Sequence, residues 1–309
     1  MKTAIILVTY NRFDLTNACL RCLLPLLNRG FEIAIADNGS TDNTVQKIKE
    51  EFPKVHVFEL FSNKGFGAAN NFAVRRLIEK GVEFDSICLL NNDTLPKMQT
   101  LPLLQQALIR YQASHPDEAI IAPRIKSING REQKNYYSDI SWPQFILNAF
   151  RTESSAAEYL HGTLRPTDDP TLLEAYWINA VCLMMSRSLW EKIGGFDERI
   201  FMYYEDMDFA LRAKKNSARF LIEMQSILTH LGGGSSKSSL SQALQHDQSQ
   251  EYIFYKHHGI IGKLASKKFR ILRSLLRIVL GIPFYLFIPS IRERVSIHFR
   301  LLKNVFSKK

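Results

Sequence analysis

Three acids fall within four residues at Glu205, Asp206 and Asp208, framed by Phe201-Met202-Tyr203-Tyr204 before and Phe209 after, with Arg212 following. Aromatic neighbours withdraw solvent and adjacent carboxylates repel, so at least one of these acids is expected to keep its proton toward neutral pH, as a general base requires. A helix N-terminus that accepts acids through its dipole, with Asp208 paired to Arg212 at i, i+4, accounts for the same residues, and the two uses are compatible. Asp93 lies further back, after the apolar run Ile87–Leu90 and before Pro96. A carboxylate there suits Mg²⁺ or Mn²⁺, hard cations that take oxygen ligands and share them with substrate phosphates; in isolation a helix cap is the better reading. His230 ends another apolar run and precedes Gly232–Gly234. It is placed to join a metal shell or meet a diphosphate, although a lone histidine is more often structural.

These groups need elements to hold them. Short apolar runs recur at Ala4–Val8, Glu32–Ala36, Val55–Leu60, Ser86–Leu90 and Ala119–Ala122. Helix-period segments separate them, at about Asp14–Asn28, Thr41–Glu51, Ala68–Lys80 and Thr100–Ser114. Strands alternating with helices predict parallel βαβ units buried on both faces. Ala175–Ser186 reads as a further strand, Arg187–Ile193 as a helix stopped by Gly194-Gly195, Asp206–Lys215 as a helix and Arg219–Leu228 as a strand. Asn129–Pro170 is polar and aperiodic, an inserted or acceptor-side segment. Gly232–Gln250, rich in Gly, Ser and Gln, predicts a mobile loop that could act as a lid.

Polar clusters follow four successive strands: Thr9-Tyr10-Asn11-Arg12, Asp37-Asn38-Gly39-Ser40-Thr41-Asp42, Ser62-Asn63-Lys64-Gly65-Phe66-Gly67 and Asn91-Asn92-Asp93-Thr94. Any one is a plain turn and cap. Together they point to the groove beyond the carboxyl ends of a parallel sheet, where ligands bind. Asp37 could accept from a nucleobase N–H or a ribose hydroxyl, and Gly65 and Gly67 allow close backbone approach. The turn after the first strand contains no glycine, which disfavours a dinucleotide-binding dehydrogenase, a P-loop kinase and a sugar nucleotidyltransferase.

The 309 residues are 46% hydrophobic and 23% charged, an ordinary globular composition, and the formal charge is +10. Residues 263–309 hold twelve Lys or Arg against Glu293 alone, a net +11; residues 1–262 hold 28 basic and 29 acidic groups, a net −1. The excess belongs to the tail, not to a groove, so no nucleic-acid partner is expected. The tail's longest uncharged run, Ile278–Ile291, has 14 residues and two prolines, short of the roughly 20 that a span needs. Interleaved basic and apolar residues suit a segment lying on an anionic leaflet; a helix pair packed on the domain with a solvated basic face is the alternative. Four dispersed cysteines and an opening apolar run too short for a leader suggest a reducing, cytoplasmic setting.

The series LVTYNR, DNGSTD, SNKGFGAANN, LLNNDT, GGFDERIFMYYEDMDFALR and THLGGGSS resembles the family 2 inverting glycosyltransferases, in particular their bacterial rhamnosyltransferase-like branch, over about residues 3–236. The resemblance implies an α/β GT-A fold with a Rossmann-like nucleotide-binding half, a mixed central sheet and an acceptor half. Its boundaries would be 1–262 for the enzyme domain, divided at 125/126, and 263–309 for a basic amphipathic helical tail. It implies donor contacts from Thr9, Asn11, Asp37, Asn63, Gly65, Gly67, Asn92 and Asp93, and catalysis by Asp206 beside Glu205. A divalent cation, Mg²⁺ or Mn²⁺, would sit at Asp93 and His230, with Trp177, Asp208 and Arg212 on the acceptor side. Asn91 stands where the family's metal motif has its first acid. The implied reaction moves a sugar, a deoxyhexose such as rhamnose, from a nucleoside-diphosphate donor to a glycan or lipid-linked glycan hydroxyl in cell-surface polysaccharide synthesis. The tail would hold the enzyme peripherally on the cytoplasmic face of the inner membrane. A binding scaffold of the same fold that has lost turnover is the rival, suggested by Asn91 and Asn92 in place of acids.

Overall fold

Alternation places the sheet. In a computed structural model, describing residues 1–138, 162–232 and 240–307, Ala4 and Ile6 of β1 (Thr3–Thr9) pack on one face and Ile5 and Leu7 on the other. The same division holds for Ala34 and Ala36 against Ile33 and Ile35 in β2 (Phe31–Asp37), and for Ile87 and Leu89 against Cys88 and Leu90 in β4 (Ser86–Leu90). Period-2 strands buried on both sides need helices on both sides. These are α1 (Phe13–Leu23), α2 (Thr44–Glu51), α3 (Phe66–Glu79) and α4 (Thr100–Ser114), with β3 (His56–Glu59) between α2 and α3.

β5 (Thr94–Pro96) follows β4, and β6 (Ala119–Ser127), β7 (Glu132–Gln133) and β8 (Tyr136–Tyr137) follow α4. After residue 161 come β9 (Arg165–Pro166), β10 (Leu172–Ala175), β11 (Trp177–Ile178), β12 (Cys182–Ser186), α5 (Arg187–Ile193), α6 (Glu205–Lys215) and β13 (Arg219–His230). The eleven-stranded sheet has the order β3-β2-β1-β4-β12-β6-β13-β10-β9, with β5 on β13 and β7 on β6. β3, β2, β1 and β4 are mutually parallel; β12 runs antiparallel between β4 and β6, which makes the sheet mixed. Strand order reverses at β1 and β4, so a crevice opens beyond Thr9 and Leu90.

Two expectations need correction. Ala175–Ser186 is not one strand: β11 leaves the main sheet and pairs with β8, Trp177 opposite Tyr137, while the Asn179 N–H bonds to Asn135 O. Residues 240–250 of the expected loop are helical. They open α7 (Leu240–Gly281), where Leu, Ala and Gln form helix readily and Asp247 finds a buried partner in Arg273. Residues 233–239 of that expected lid lie outside the described residues, as does most of the polar insertion, 139–161.

The chain divides into two compact units. Of the described residues, the first holds 1–138, 162–201 and 205–232, and the second 202–204 and 240–307. In the second, α7 breaks at Gly259, whose φ of 64° and ψ of −153° are not helical. Arg273 reaches Asp247 at 2.5 Å and Arg270 meets Glu251, pairs that a straight helix would hold roughly 39 and 28 Å apart, so its two arms fold back on each other. α8 (Pro289–Ser307) adds a third helix against the second arm: His298 Nδ1 lies 3.2 Å from Ser274 Oγ, and Val295 covers Gly281. Residue 262 falls within α7.

Candidate active site

The crevice is built from hydrogen bonds between strand-end loops. Asn11, at φ +51°, takes the Thr41 N–H on its Oδ1 at 2.8 Å, and its own N–H bonds to Ser40 Oγ at 2.9 Å. Asp37 is 2% exposed; its Oδ2 accepts from Ser40 N at 2.9 Å, while Oδ1 has no partner among the described residues. A buried acceptor left open costs roughly 1–3 kcal/mol, and a ligand N–H or O–H would relieve it. Asn38 donates to Asn63 Oδ1 at 2.9 Å and accepts from Lys64 N at 2.8 Å, and the Gly65 N–H closes on Asn63 Oδ1 at 3.0 Å. Asn92 Nδ2 donates to Thr16 Oγ1 at 2.9 Å, which in turn lies 2.8 Å from Thr9 Oγ1. Thr9, Asn11, Asp37, Asn63 and Asn92 therefore gather at the ends of β1 to β4.

The two glycines answer to the protein itself. A Cβ on Gly65, at φ +90°, would run into the Phe201 carbonyl, and one on Gly67 would stand 2.7 Å from the Phe196 Cβ. The Phe66 N–H also donates to Phe201 O. Asn71, one turn on, holds the Phe196 N–H and C=O and Glu198 Oε1 through three bonds of 2.9 to 3.0 Å. The Gly65–Asn71 segment is thus moulded to the 196–201 segment.

Asp93 and His230 meet because β5 and β13 pair antiparallel, with His230 opposite Thr94. His230 Nε2 lies 3.3 Å from Asp93 Oδ1, and Gln133 Oε1 lies 3.1 Å from Nδ1. With Nδ1–H donating to Gln133, Nε2 presents its lone pair beside the carboxylate, the tautomer a metal ligand needs. Among the described residues no group of three or more His, Cys, Asp or Glu could hold an ion alone. Two donors suffice for a cation that takes its other ligands from diphosphate and water, and one oxygen with one imidazole suits Mn²⁺ at least as well as Mg²⁺.

Glu205 and Asp206 open α6, where the helix dipole favours acids. Desolvation raises the pKa of both, and for Glu205 the neighbouring Asp206 charge adds to the rise, taking it to about 8. The two environments differ. The Asp206 carboxylate accepts the Met207 backbone N–H at 2.8 Å, whereas Glu205 Oε2 is sealed from water with no partner among the described residues. Burial and the adjacent Asp206 charge thus both favour the protonated form of Glu205, while the Met207 N–H favours the charged form of Asp206. Tyr137 adjoins it: desolvation and then the Asp206 charge raise the phenol's pKa. Trp177 stacks on Tyr137 with ring centroids 4.2 Å apart, and Trp177 Nε1 and Asn179 Oδ1 are also buried without partners among the described residues. Tyr203 and Tyr204, directly before the acids, both have φ of +67°, a strained conformation for such residues.

The 177–181 segment lies between the two centres: the Ala180 backbone favours the charged form of Asp206, and the next residue, Val181, accepts the Asn91 N–H at 2.9 Å. Because β12 runs antiparallel to β4, with Cys182 opposite Leu90, the 177–181 segment lies at the carboxyl end of β4, the end that bears Asp93. Asp208 and Arg212 bond to each other and, through Arg212, to α5. Asp208 is wholly buried, Arg212 Nε bonds it at 2.8 Å, and Nη1 bonds Ile193 O at 2.7 Å, which fastens α6 to α5. Asn38, Asn71, Thr16, Gln133 and Tyr137 escaped the sequence reading. The DNG and GAANN strings contain the first two, but nothing local marks the others.

Residues 4–167, just over half the chain, match the family model "Glycosyl transferase family 2". An N-acetylglucosaminyl-diphospho-decaprenol L-rhamnosyltransferase of Mycobacterium tuberculosis is 27% identical over 298 residues, covering 88% of this chain and 94% of that one. A low-salt glycan biosynthesis hexosyltransferase, Agl10 of Haloferax volcanii, is 24% identical over 188 residues, 60% of this chain and 54% of its own. Among solved structures, Staphylococcus aureus TarS 1-349 in complex with UDP-GlcNAc superposes with a TM-score of 0.54 at 18% identity, covering 99% of this chain and 83% of that one, a likeness of fold. Motifs, mixed sheet and family match agree, and the chain belongs to glycosyltransferase family 2.

Proposed function

We propose that this glycosyltransferase moves a deoxyhexose, rhamnose, from a nucleoside-diphosphate donor to a hydroxyl of a lipid-linked glycan, inverting the anomeric centre, in cell-surface polysaccharide synthesis. The observation that supports the reading is the Asn91–Val181 hydrogen bond at the carboxyl end of β4, beside the Asp93–His230 pair, with the neighbouring Ala180 backbone favouring the charged form of Asp206. The rhamnosyltransferase relative supports the sugar.

Asp37 would take an N–H or O–H of the nucleoside on its open Oδ1, with Asn11, Asn63 and the 65–67 loop fixing the walls. Asp206 would accept the acceptor hydroxyl's proton as the oxygen attacks the anomeric carbon opposite the nucleotide. Glu205, neutral beside it, would keep a second negative charge from the reaction. No acid need protonate the leaving group, in contrast to glycoside hydrolysis. A divalent cation held by Asp93 and His230 supplies charge that offsets the departing diphosphate. Trp177 and Tyr137 give the acceptor sugar a stacking surface, with Trp177 Nε1 open to a hydroxyl. The basic tail would seat the enzyme on the cytoplasmic membrane face, where such an acceptor resides.

A panel of nucleotide sugars tested for metal-dependent release of nucleoside diphosphate, with Asp206→Asn alongside, checks this. Release from dTDP-rhamnose that Asp206→Asn abolishes is expected. Silence with every donor would favour the scaffold, and release from another donor alone would replace rhamnose.

A further inference from the structure

The second arm of α7 is turned inside out. Gly262, Ser266, Arg270, Ser274, Ile278 and Gly281, at steps of three or four, are buried. Ile261, Leu264, Leu272, Leu275, Val279 and Ile282, at the same kind of spacing, are exposed, Ile261 by 78%. At 3.6 residues per turn these six fall in one stripe within roughly 60° of a line, and exposed Lys268 fills the gap in it. Beyond the stripe, the turn 282–288 carries no charge and exposes Phe284, Leu286 and Phe287, the last by 80%. Arg292 closes this turn by donating to Tyr285 O and Leu286 O.

The buried polar set explains why the helix cannot roll over. Arg270 is committed to Glu251 and Arg273 to Asp247, and Ser274 meets His298. Burial, followed by the charges of Arg273 and Arg277, holds His298 down to about 4. Rotation would strand these groups, so the apolar stripe is the face the fold leaves outward. Such a patch on a monomer marks a surface of contact.

We propose that this face, the 261–282 stripe with the 284–287 turn, lies on an anionic lipid leaflet. The inference deepens the membrane contact suggested above by assigning the residues that enter the lipid. Charge selects the occupant. Residues 263–309 carry a net +11, so a second copy would bring like charge to the interface, whereas an anionic leaflet brings the opposite sign. α8 repeats the mixture on its exposed face, with Arg292, Phe299, Lys303 and Phe306 at helical spacing. No helix among the described residues is long and apolar enough to cross a membrane, which leaves a segment that lies in the interface.

The test is co-sedimentation of the full chain with phosphatidylglycerol-containing and pure phosphatidylcholine vesicles. The variants are Leu272→Ser/Leu275→Ser/Val279→Ser, for the stripe, and Leu286→Ser/Phe287→Ser, for the turn. Native protein is expected to bind the anionic vesicles and each variant to lose at least tenfold in partitioning, with donor hydrolysis unchanged. Native binding that survives in both variants would overturn this face while leaving the membrane contact standing. Native protein that ignores vesicles would overturn both. If it instead sediments as a dimer that the stripe variant dissociates, the occupant is a second copy and the lipid assignment falls. Should the triple variant lose helical circular dichroism, Leu275→Ser and Val279→Ser singly probe the same face, with a smaller drop expected; unchanged partitioning in both overturns it.

Discussion

The donor loops and the acid segment lie at one end of the same sheet and satisfy their polar groups in opposite ways. At the ends of β1 to β4, Asn11, Asn38, Asn63 and Asn92 bond to one another's loops, and Asp37 Oδ1 stands open among the described residues. Around α6, Glu205 Oε2, Trp177 Nε1 and Asn179 Oδ1 are all buried without partners among the described residues, two raised carboxyls adjoin, and two left-handed tyrosines precede them. The loops proposed for the donor are hydrogen-bonded to one another before anything binds. The acid side holds unmet hydrogen-bonding capacity that an acceptor can use, so substitutions should trade stability for activity differently in the two regions.

The largest effect should come from Asp206→Asn. Loss of the base is expected to lower turnover by about 10³-fold, while the thermal midpoint holds or rises because a desolvated charge is gone. A fall in stability as large as the loss in rate would erase the contrast. Asn71→Ala is the counterpart in the donor half. Removing three bonds to the 196–198 segment should reduce unfolding free energy by roughly 2–3 kcal/mol, read from the urea midpoint at unchanged slope, with activity per folded molecule retained. Gln133→Leu sharpens the comparison between them: freeing His230 Nδ1 should raise the half-saturating Mn²⁺ concentration about tenfold and leave the melting temperature alone.

The smallest effect concerns pH. Glu205 keeps its proton in the folded protein well above its ordinary value of 4.5, so on raising the pH the unfolded chain loses that proton first. Native stability relative to Glu205→Gln is therefore greatest below about pH 4.5 and declines as pH rises toward about 8. Paired thermal melts across that interval check the sign; a constant difference would mean that Glu205 is ionised throughout.

The sheet was legible because strand burial on both faces writes itself as unbroken apolar runs, and its polar ends follow directly. Asp93, Asp206 and His230 were legible as types at strand or helix ends. Their partners were not. Gln133 reaches His230 only through the pairing of β6 with β7 and β13, and Tyr137 reaches Asp206 only because β11 abandons the main sheet for β8. Residues 240–250 misled for another reason: read together with the Gly- and Ser-rich 232–239, they describe a loop until Asp247 finds Arg273, 26 residues away. The tail's charge was plain from composition, but which face it turns outward depends on ion pairs that no local pattern records.

The contact between Gly65 and Phe201 constrains the two positions unequally. What blocks a side chain at 65 is a main-chain oxygen, present whatever amino acid occupies 201, so no compensating change there can make room. Drift is open at one partner and closed at the other, and a replacement at 65 could be rescued only by shifting the backbone that leads to Glu205.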